Sequence, residues 1–275
     1  MALELPEAMN LAKQMDHELS GKTIKHMQLT EDCASLIRQG FVNLDRKNLD
    51  SHKVVSVSSK GKWIFVKLDP PTYLLFALET GGKILYHKSG ESLPDKFHMK
   101  LDFGDGTFLT VRILGWGFAK ALREEELEAT KYPGKLGISP VNDEEFTLES
   151  FNGILDEGGA NIVKKVLLDQ WKIAGIGNGY CQDILFRARI HPKRKANDLS
   201  AKERKTLYST IKDILNEAVR LGGSDWERDL YDHQGGYRRL MGEGVKGKPC
   251  PKCGTAIEKI SLLGSSSYIC PSCQK

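Results

Sequence analysis

The sequence has no apolar run near the ~20 residues that a membrane-spanning helix needs. With 40% hydrophobic and 28% charged residues and a mean hydropathy of -0.37, it also lacks the composition of a disordered or fibrous chain. No basic segment opens it: Met1 to Ala12 carry Glu4 and Glu7 instead. Neither a secretory signal nor a transit peptide fits that opening, and a cytoplasmic location is expected. Internal repeats and low-complexity tracts are missing, which excludes a solenoid. The chain also lacks the Lys-Ser/Thr of a P-loop and a glycine-rich turn preceded by a dinucleotide-fold strand.

What is present is 275 residues, enough for two domains with a real core, and an uneven charge. From Phe151 to Lys275 there are 21 Lys+Arg against 14 Asp+Glu, net +7, which leaves the first 150 residues at net -3. A basic C-terminal half points to a polyanion, nucleic acid among the choices, although solvated basic faces are common.

Four of the six cysteines stand as Cys250-x2-Cys253 and Cys270-x2-Cys273, with 16 residues between the pairs. Each short pair turns two thiolates toward one ion, and two such turns close a tetrahedral site with no open position. One structural zinc is therefore expected on Cys250, Cys253, Cys270 and Cys273. Ala256 to Leu263 and Ser267 to Ile269 read as two strands around a Gly264-Ser265-Ser266 tip. Such a hairpin is marginal alone, so the metal must hold it. Cys33 and Cys181 read as ordinary, partly buried thiols.

Along the chain, Ala8, Leu11, Ala12, Met15 and Leu19 recur at helical steps and stop at Gly21. The period then changes to two over Val54 to Val57, Trp63 to Leu68, Tyr73 to Leu78, Met99 to Phe103 and Thr107 to Ile113, which suggests a β-sandwich or flattened barrel. After residue 140 the pattern is helical: Asp143 to Leu155, Asn161 to Asp169, Gly177 to Ala188, and Ser200 to Leu221 with a Ser200-x-x-Glu203 capping box. Asp232 to Lys248, rich in glycine and basic residues, reads as a mobile linker or loop.

One helix entry, Gly175-Ile176-Gly177-Asn178-Gly179, offers free backbone N–H groups to a phosphate, with Asn178 as an added donor. Alone it also suits a plain helix connection. Taken with Glu4-Leu5-Pro6-Glu7 at the start and the four-cysteine hairpin at the end, it makes the chain resemble, over essentially its whole length, the formamidopyrimidine-DNA glycosylase and endonuclease VIII family of base-excision repair enzymes.

The resemblance implies an α+β, multidomain protein. An N-terminal β-sandwich with a leading helix would span 1–130, a helix-two-turn-helix domain 135–240 and a zinc finger 245–275. It further implies damaged double-stranded DNA as partner, a monomer, no membrane, and a cytoplasmic, nucleoid-associated location. Family members flip a damaged nucleotide from the stack, and an N-terminal Pro-Glu pair then breaks the glycosidic bond and forms a Schiff base. Glu4 matches that glutamate, but Leu3 stands where the proline does, and Ala2 precedes it. If Met1 is removed, an Ala2 amine of pKa about 7.7 to 8.0 is the substitute nucleophile. Lys62 matches a catalytic lysine that contacts phosphate beside the lesion and assists elimination; Asn178, with Gly177 before it, matches the phosphate-binding asparagine. Ser265 replaces an arginine at the hairpin tip. Glu79, in Phe76-Ala77-Leu78-Glu79-Thr80-Gly81, takes the place of the void-filling methionine, and Glu7 supports the helix entrance. Trp116 or Phe118 replaces an arginine-rich loop as a stacking residue.

The activity implied is N-glycosidic cleavage with weak or absent abasic-site lyase action. The alternatives are a non-catalytic binder of damaged DNA and, further off, an RNA-binding zinc-ribbon protein.

Overall fold

The helical steps near the N-terminus become helix α1, Leu5–Leu19, whose buried stripe includes Leu11, Ala12, Met15 and Leu19. Pro6 stands in its first turn, where the missing N–H costs nothing. Ser20 leaves the helical conformation, and Gly21 turns the chain at φ +86° so that its N–H reaches Val54 O at 2.8 Å. The left-handed region suits glycine there. The computed structural model describes residues 3–46, 48–130 and 133–275.

Two compact units form, Met1–Lys135 with Gly222–Gly235, and Leu136–Leu221 with Gly236–Lys275. In the first, α1 is followed by β1 (Ile24–Leu29), α2 (Ala34–Arg38), β2 (Lys53–Lys60), β3 (Trp63–Asp69), β4 (Thr72–Ala77), β5 (Lys83–His87), β6 (Met99–Phe103), β7 (Phe108–Arg112), β8 (Phe118–Leu122) and α3 (Glu124–Ala129). The strands make two four-stranded antiparallel sheets, ordered β1-β6-β7-β5 and β2-β3-β4-β8. One core gathers Val57, Ile64, Val66 and Phe76 of one sheet with Met99, Leu101, Leu109 and Val111 of the other, and with the α1 stripe. Each such side chain contributes roughly 1.5–3 kcal/mol on burial. Strands β1, β5 and β8 escape the periodic reading, β1 with a single buried residue.

The second unit holds α4 (Leu148–Gly158), α5 (Val163–Leu167), α6 (Asn178–Arg187), α7 (Ala201–Arg220) and the hairpin β9 (Glu258–Leu262) and β10 (Ser265–Ile269). The capping box opens α7 as its residues imply, with Ser200 N donating to Glu203 Oε2 at 2.8 Å. Around α6 and α7 a core of Phe151, Leu155, Ile184, Ile211 and Ile214 forms, and Phe186, Met241, Ile257 and Tyr268 pack beside the cysteines.

Two expectations change. The hairpin turns at Leu263-Gly264, both at positive φ (54° and 70°), so Ser265 and Ser266 are strand residues opposite Leu262 and Ser261. Two residues of positive φ match the right-handed strand twist better than a three-residue tip. The presumed mobile loop is anchored as well. Buried Asp183 of α6 accepts hydrogen bonds from Tyr237 Oη (3.0 Å), Leu240 N (3.0 Å) and Met241 N (2.8 Å). Among the described residues no helix is long and apolar enough to cross a membrane.

Candidate functional site

At the N-terminal end of the first unit, Leu3 is 3% exposed, and its backbone N–H donates to Leu78 O at 3.1 Å. That bond ties the start of α1 to the segment leaving β4. Glu4 follows as the helix cap and is also buried, at 4% exposed. The partial positive charge of a helix start favours a carboxylate there. Glu7, one turn on, accepts the Glu4 N–H on Oε2 (3.2 Å) and the Ser224 N–H on Oε1 (2.8 Å). The expected support of the helix entrance thus extends to a residue 217 positions away. Ala2 lies outside the described residues.

Next to Leu78 comes half-buried Glu79, against which the β7–β8 loop is packed. A Cβ placed on Gly115 would lie 3.5 Å from Glu79 Cβ and 3.9 Å from its Cγ, and Gly115 itself is at φ +58°. Gly117 closes the loop through its N–H to Leu114 O at 3.0 Å. Between these glycines Trp116 stands 79% exposed, held edge-on by Phe41 with ring centroids 5.8 Å apart. Phe118 differs: it is the first residue of β8, half-buried and paired with Ala77. Lys62 is the second residue of the tight β2–β3 turn, after Gly61 at φ +58°, and is half-exposed.

In the second unit Asn178 is the first residue of α6, following buried, extended Gly177. Its approach is held by a side chain that sequence patterns do not flag. Gln170 Nε2 donates to Leu168 O (2.9 Å) and Ile176 O (2.7 Å), and Gln170 Oε1 accepts from Gly175 N (2.8 Å), with Gly175 at φ +102°. Asn178 Nδ2 donates to Ser266 O at 3.1 Å, and Ser265 Oγ lies 3.3 Å from Asn178 Oδ1, in position to donate to it. The structure therefore joins two residues that the sequence could only align separately.

Beneath them lies Lys164 of α5, 1% exposed, whose Nζ donates to Ser267 Oγ (2.7 Å), Ser265 Oγ (2.9 Å) and Leu262 O (3.4 Å). Burial pushes its pKa below the usual lysine value. In Val163-Lys164-Lys165-Val166 nothing distinguishes this lysine from its neighbour, so no local signal marks it.

The four cysteine sulfurs all lie within 4.8 Å of one another, with Cys253–Cys270 at 3.4 Å and Cys250–Cys273 at 3.9 Å. A tetrahedron with metal–sulfur bonds of ~2.3 Å has edges of about 3.8 Å, so the set fits zinc. Lys252 N and Cys273 N each stand 3.4 Å from the Sγ of Cys250 and Cys270, respectively, where they stabilise thiolate. Gly254, at φ +77°, turns one knuckle.

Comparison with known proteins shows the family to which the chain belongs. Residues 2–115 match the formamidopyrimidine-DNA glycosylase N-terminal domain, 136–229 the formamidopyrimidine-DNA glycosylase H2TH domain, and 247–275 the zinc finger found in FPG and IleRS. Formamidopyrimidine-DNA glycosylase from Halalkalibacterium halodurans is 34% identical over 280 residues, covering 99% of each chain. That from Listeria innocua is 33% identical, with the same coverage. Lactococcus lactis Fpg in complex with abasic-site DNA superposes with a TM-score of 0.86 at 25% identity over 99% of both chains. MutM (Fpg) from Thermus thermophilus gives 0.83 at 28% identity over 98% of both. With three domain matches in order and relatives above 30% identity over nearly the whole chain, this protein belongs to the formamidopyrimidine-DNA glycosylase family.

Proposed function

We propose that this protein is a DNA glycosylase that removes a damaged base flipped from duplex DNA, using Glu4 to activate water, with little or no abasic-site lyase activity. The observation that carries this reading is the state of residue 3. Leu3 contributes an amide nitrogen, conjugated with the carbonyl of the preceding residue and donating its hydrogen to Leu78 O. It has no free electron pair with which to form a Schiff base. A water molecule is then the nucleophile: its oxygen bonds to C1′, its proton passes to the Glu4 carboxylate, and the glycosidic electron pair leaves with the base. Glu7 positions Glu4 through the Glu4 N–H.

Flipping costs a few kcal/mol, and the remaining residues repay it. Lys62, Asn178 with Gly177, and Ser265 hold backbone phosphates, and Trp116 or Phe118 stacks on the unstacked base for roughly 1–3 kcal/mol. Glu79 lines the lesion pocket. Zinc, bound by the four cysteines, fixes the hairpin that carries Ser265. Action on chromosomal DNA as a monomer places the protein in the cytoplasm with the nucleoid.

Labelled duplexes bearing an abasic site, an oxidised purine, an oxidised pyrimidine or an alkylated purine test this, each developed with and without hot alkali beside Glu4→Gln. Breakage only after alkali, abolished by the substitution, is expected. Breakage without alkali, with borohydride trapping of a covalent complex, would instead make Ala2 the nucleophile. Binding without breakage on any duplex would favour the non-catalytic damage binder, a reading that the missing amine at Leu3 also suits.

A further inference from the structure

Glu79 and Trp116 share one end of the first unit with Glu4, and nothing so far gives that combination a purpose. The chain 78–79 is bonded to Leu3, the residue before Glu4, and the Gly115-Trp116-Gly117 turn is packed on Glu79. A large indole is held almost fully exposed, edge-on to Phe41, on a turn that two glycines keep tight. The side chain of Glu79 packs against Gly115, the residue before Trp116, so a carboxylate shares this end of the unit, the wrong charge for a surface that meets phosphates. Against ordinary DNA that arrangement loses affinity; against a positively charged aromatic ring it gains twice. The Trp face attracts a cation through its quadrupole, and the carboxylate attracts it directly.

We infer that Glu79 and Trp116 select a cationic base, an N3- or N7-alkylated purine that carries a permanent ring charge. This inference rests on the glycosylase reading and adds its substrate class. The reaction chemistry points the same way. When the C1′–N bond of such a base breaks, its electron pair neutralises the ring, so the leaving group needs no protonation. Water attacks C1′ and gives its proton to Glu4, and atoms and charge balance without an amine. A neutral oxidised base is a poorer leaving group and gains more from the covalent help that Leu3 cannot provide. The loss of the nucleophile and the gain of an acidic and an aromatic side chain at one end of the unit therefore suit one class of substrate.

The test uses a single duplex in two forms, N7-methylguanine as made and the same base ring-opened by mild alkali to the neutral formamidopyrimidine. Alkali-developed scission above the enzyme-free background gives kcat/KM for each with the wild-type protein, Glu79→Gln and Trp116→Ala, with thermal unfolding checked for every variant. The wild type is expected to favour the cationic form at least about tenfold, and each substitution to cut that ratio roughly tenfold. Equal rates on both forms, a preference for the neutral form, or a ratio unmoved by Glu79→Gln overturns the inference. Binding to a duplex containing 2′-fluoro N7-methylguanine, whose glycosidic bond resists cleavage, separates the two layers. If no duplex is cut but the cationic duplex still binds more tightly, and Glu79→Gln removes the difference, glycosylase action fails while the recognition stands. No discrimination in binding either refutes the recognition.

Discussion

Lys164→Met removes one nitrogen while keeping the length and volume of a side chain that is 1% exposed. Three acceptors lose their donor, and one of them, Ser267 Oγ, is itself buried. Hydrogen bonds from a charged donor contribute about 1.5–3 kcal/mol each, and an orphaned buried hydroxyl costs about 1–3 kcal/mol. Against this stands the desolvation of the ammonium, several kcal/mol, which the variant no longer suffers. The lowered pKa of Lys164 says that its neutral partners only partly offset that cost. The balance is a net loss of about 1–2 kcal/mol, or a fall in melting temperature of roughly 2–8 °C.

Stability against pH supplies a sign. The folded pKa lies below the unfolded value of 10.5, so the unfolded chain binds more protons between the two. The wild type therefore gains stability as pH rises through the lowered value towards 10.5, whereas the Met variant lacks this gain. DNA binding supplies the functional readout. A buried ammonium positions Ser265 and Asn178 and touches no phosphate, so affinity falls while the salt slope is retained. A direct contact would change the slope by about 0.9. A variant as stable as the wild type at every pH, binding DNA equally well, would refute the reasoning and leave Lys164 a tolerated buried charge.

The remaining predictions concern the metal, the α6 carboxylate and the phosphate site. Denaturation in the presence of a colorimetric chelator should release one zinc per chain, and Cys253→Ser should abolish both that release and DNA binding, because a two-stranded hairpin does not hold itself; undiminished binding after metal removal would contradict this. Asp183→Asn replaces an acceptor of three hydrogen bonds by a group that meets one donor with another, so it should destabilise by about 1–3 kcal/mol, read by urea unfolding at pH 7. Burial raises the Asp183 pKa from 3.8 to about 6, so the folded chain binds more protons between those values, and the wild type's margin over Asn, still positive at pH 7, should shrink as pH rises through that window. Asn178→Ala should weaken binding to damaged and undamaged duplexes alike, since a phosphate contact carries no base information; a loss confined to one lesion would contradict it.

Local patterns made the metal centre and the order of domains readable, because each rests on residues close in sequence. Cys250-x2-Cys253 fixes a turn by itself, and the α1 stripe repeats every three or four residues. Asn178 was legible for its position after Gly177, but its partners were not: Ser266 lies 88 residues on. The Lys164–Ser267 bond spans 103 residues, and a lysine beside a lysine carries no mark of which one is buried. Ser265 was placed at the hairpin tip because glycine and serine both suit turns, whereas strand twist selected Leu263-Gly264.

The glycines near the end of the chain show how a local reading can invert a cause. Read alone, Gly222 and Gly223 only close a helix, and Gly235 and Gly236 belong to a mobile loop. In the fold Gly223 sits at φ +96°, and a Cβ on it would come 2.9 Å from Glu7 Cγ; one on Gly235 would come 2.1 Å from Gly223 O. These are points where backbone meets backbone or side chain with no room for a methyl group. That approach brings the Ser224 N–H to Glu7 Oε1, and the other Glu7 oxygen orients Glu4 at the start of α1. Gln14 repeats the link further along the helix, donating to Asp229 Oδ2 at 2.8 Å and accepting from Leu230 N at 3.0 Å. The placement of Glu4 therefore depends on two glycines more than 200 residues away in sequence, and their role is close packing.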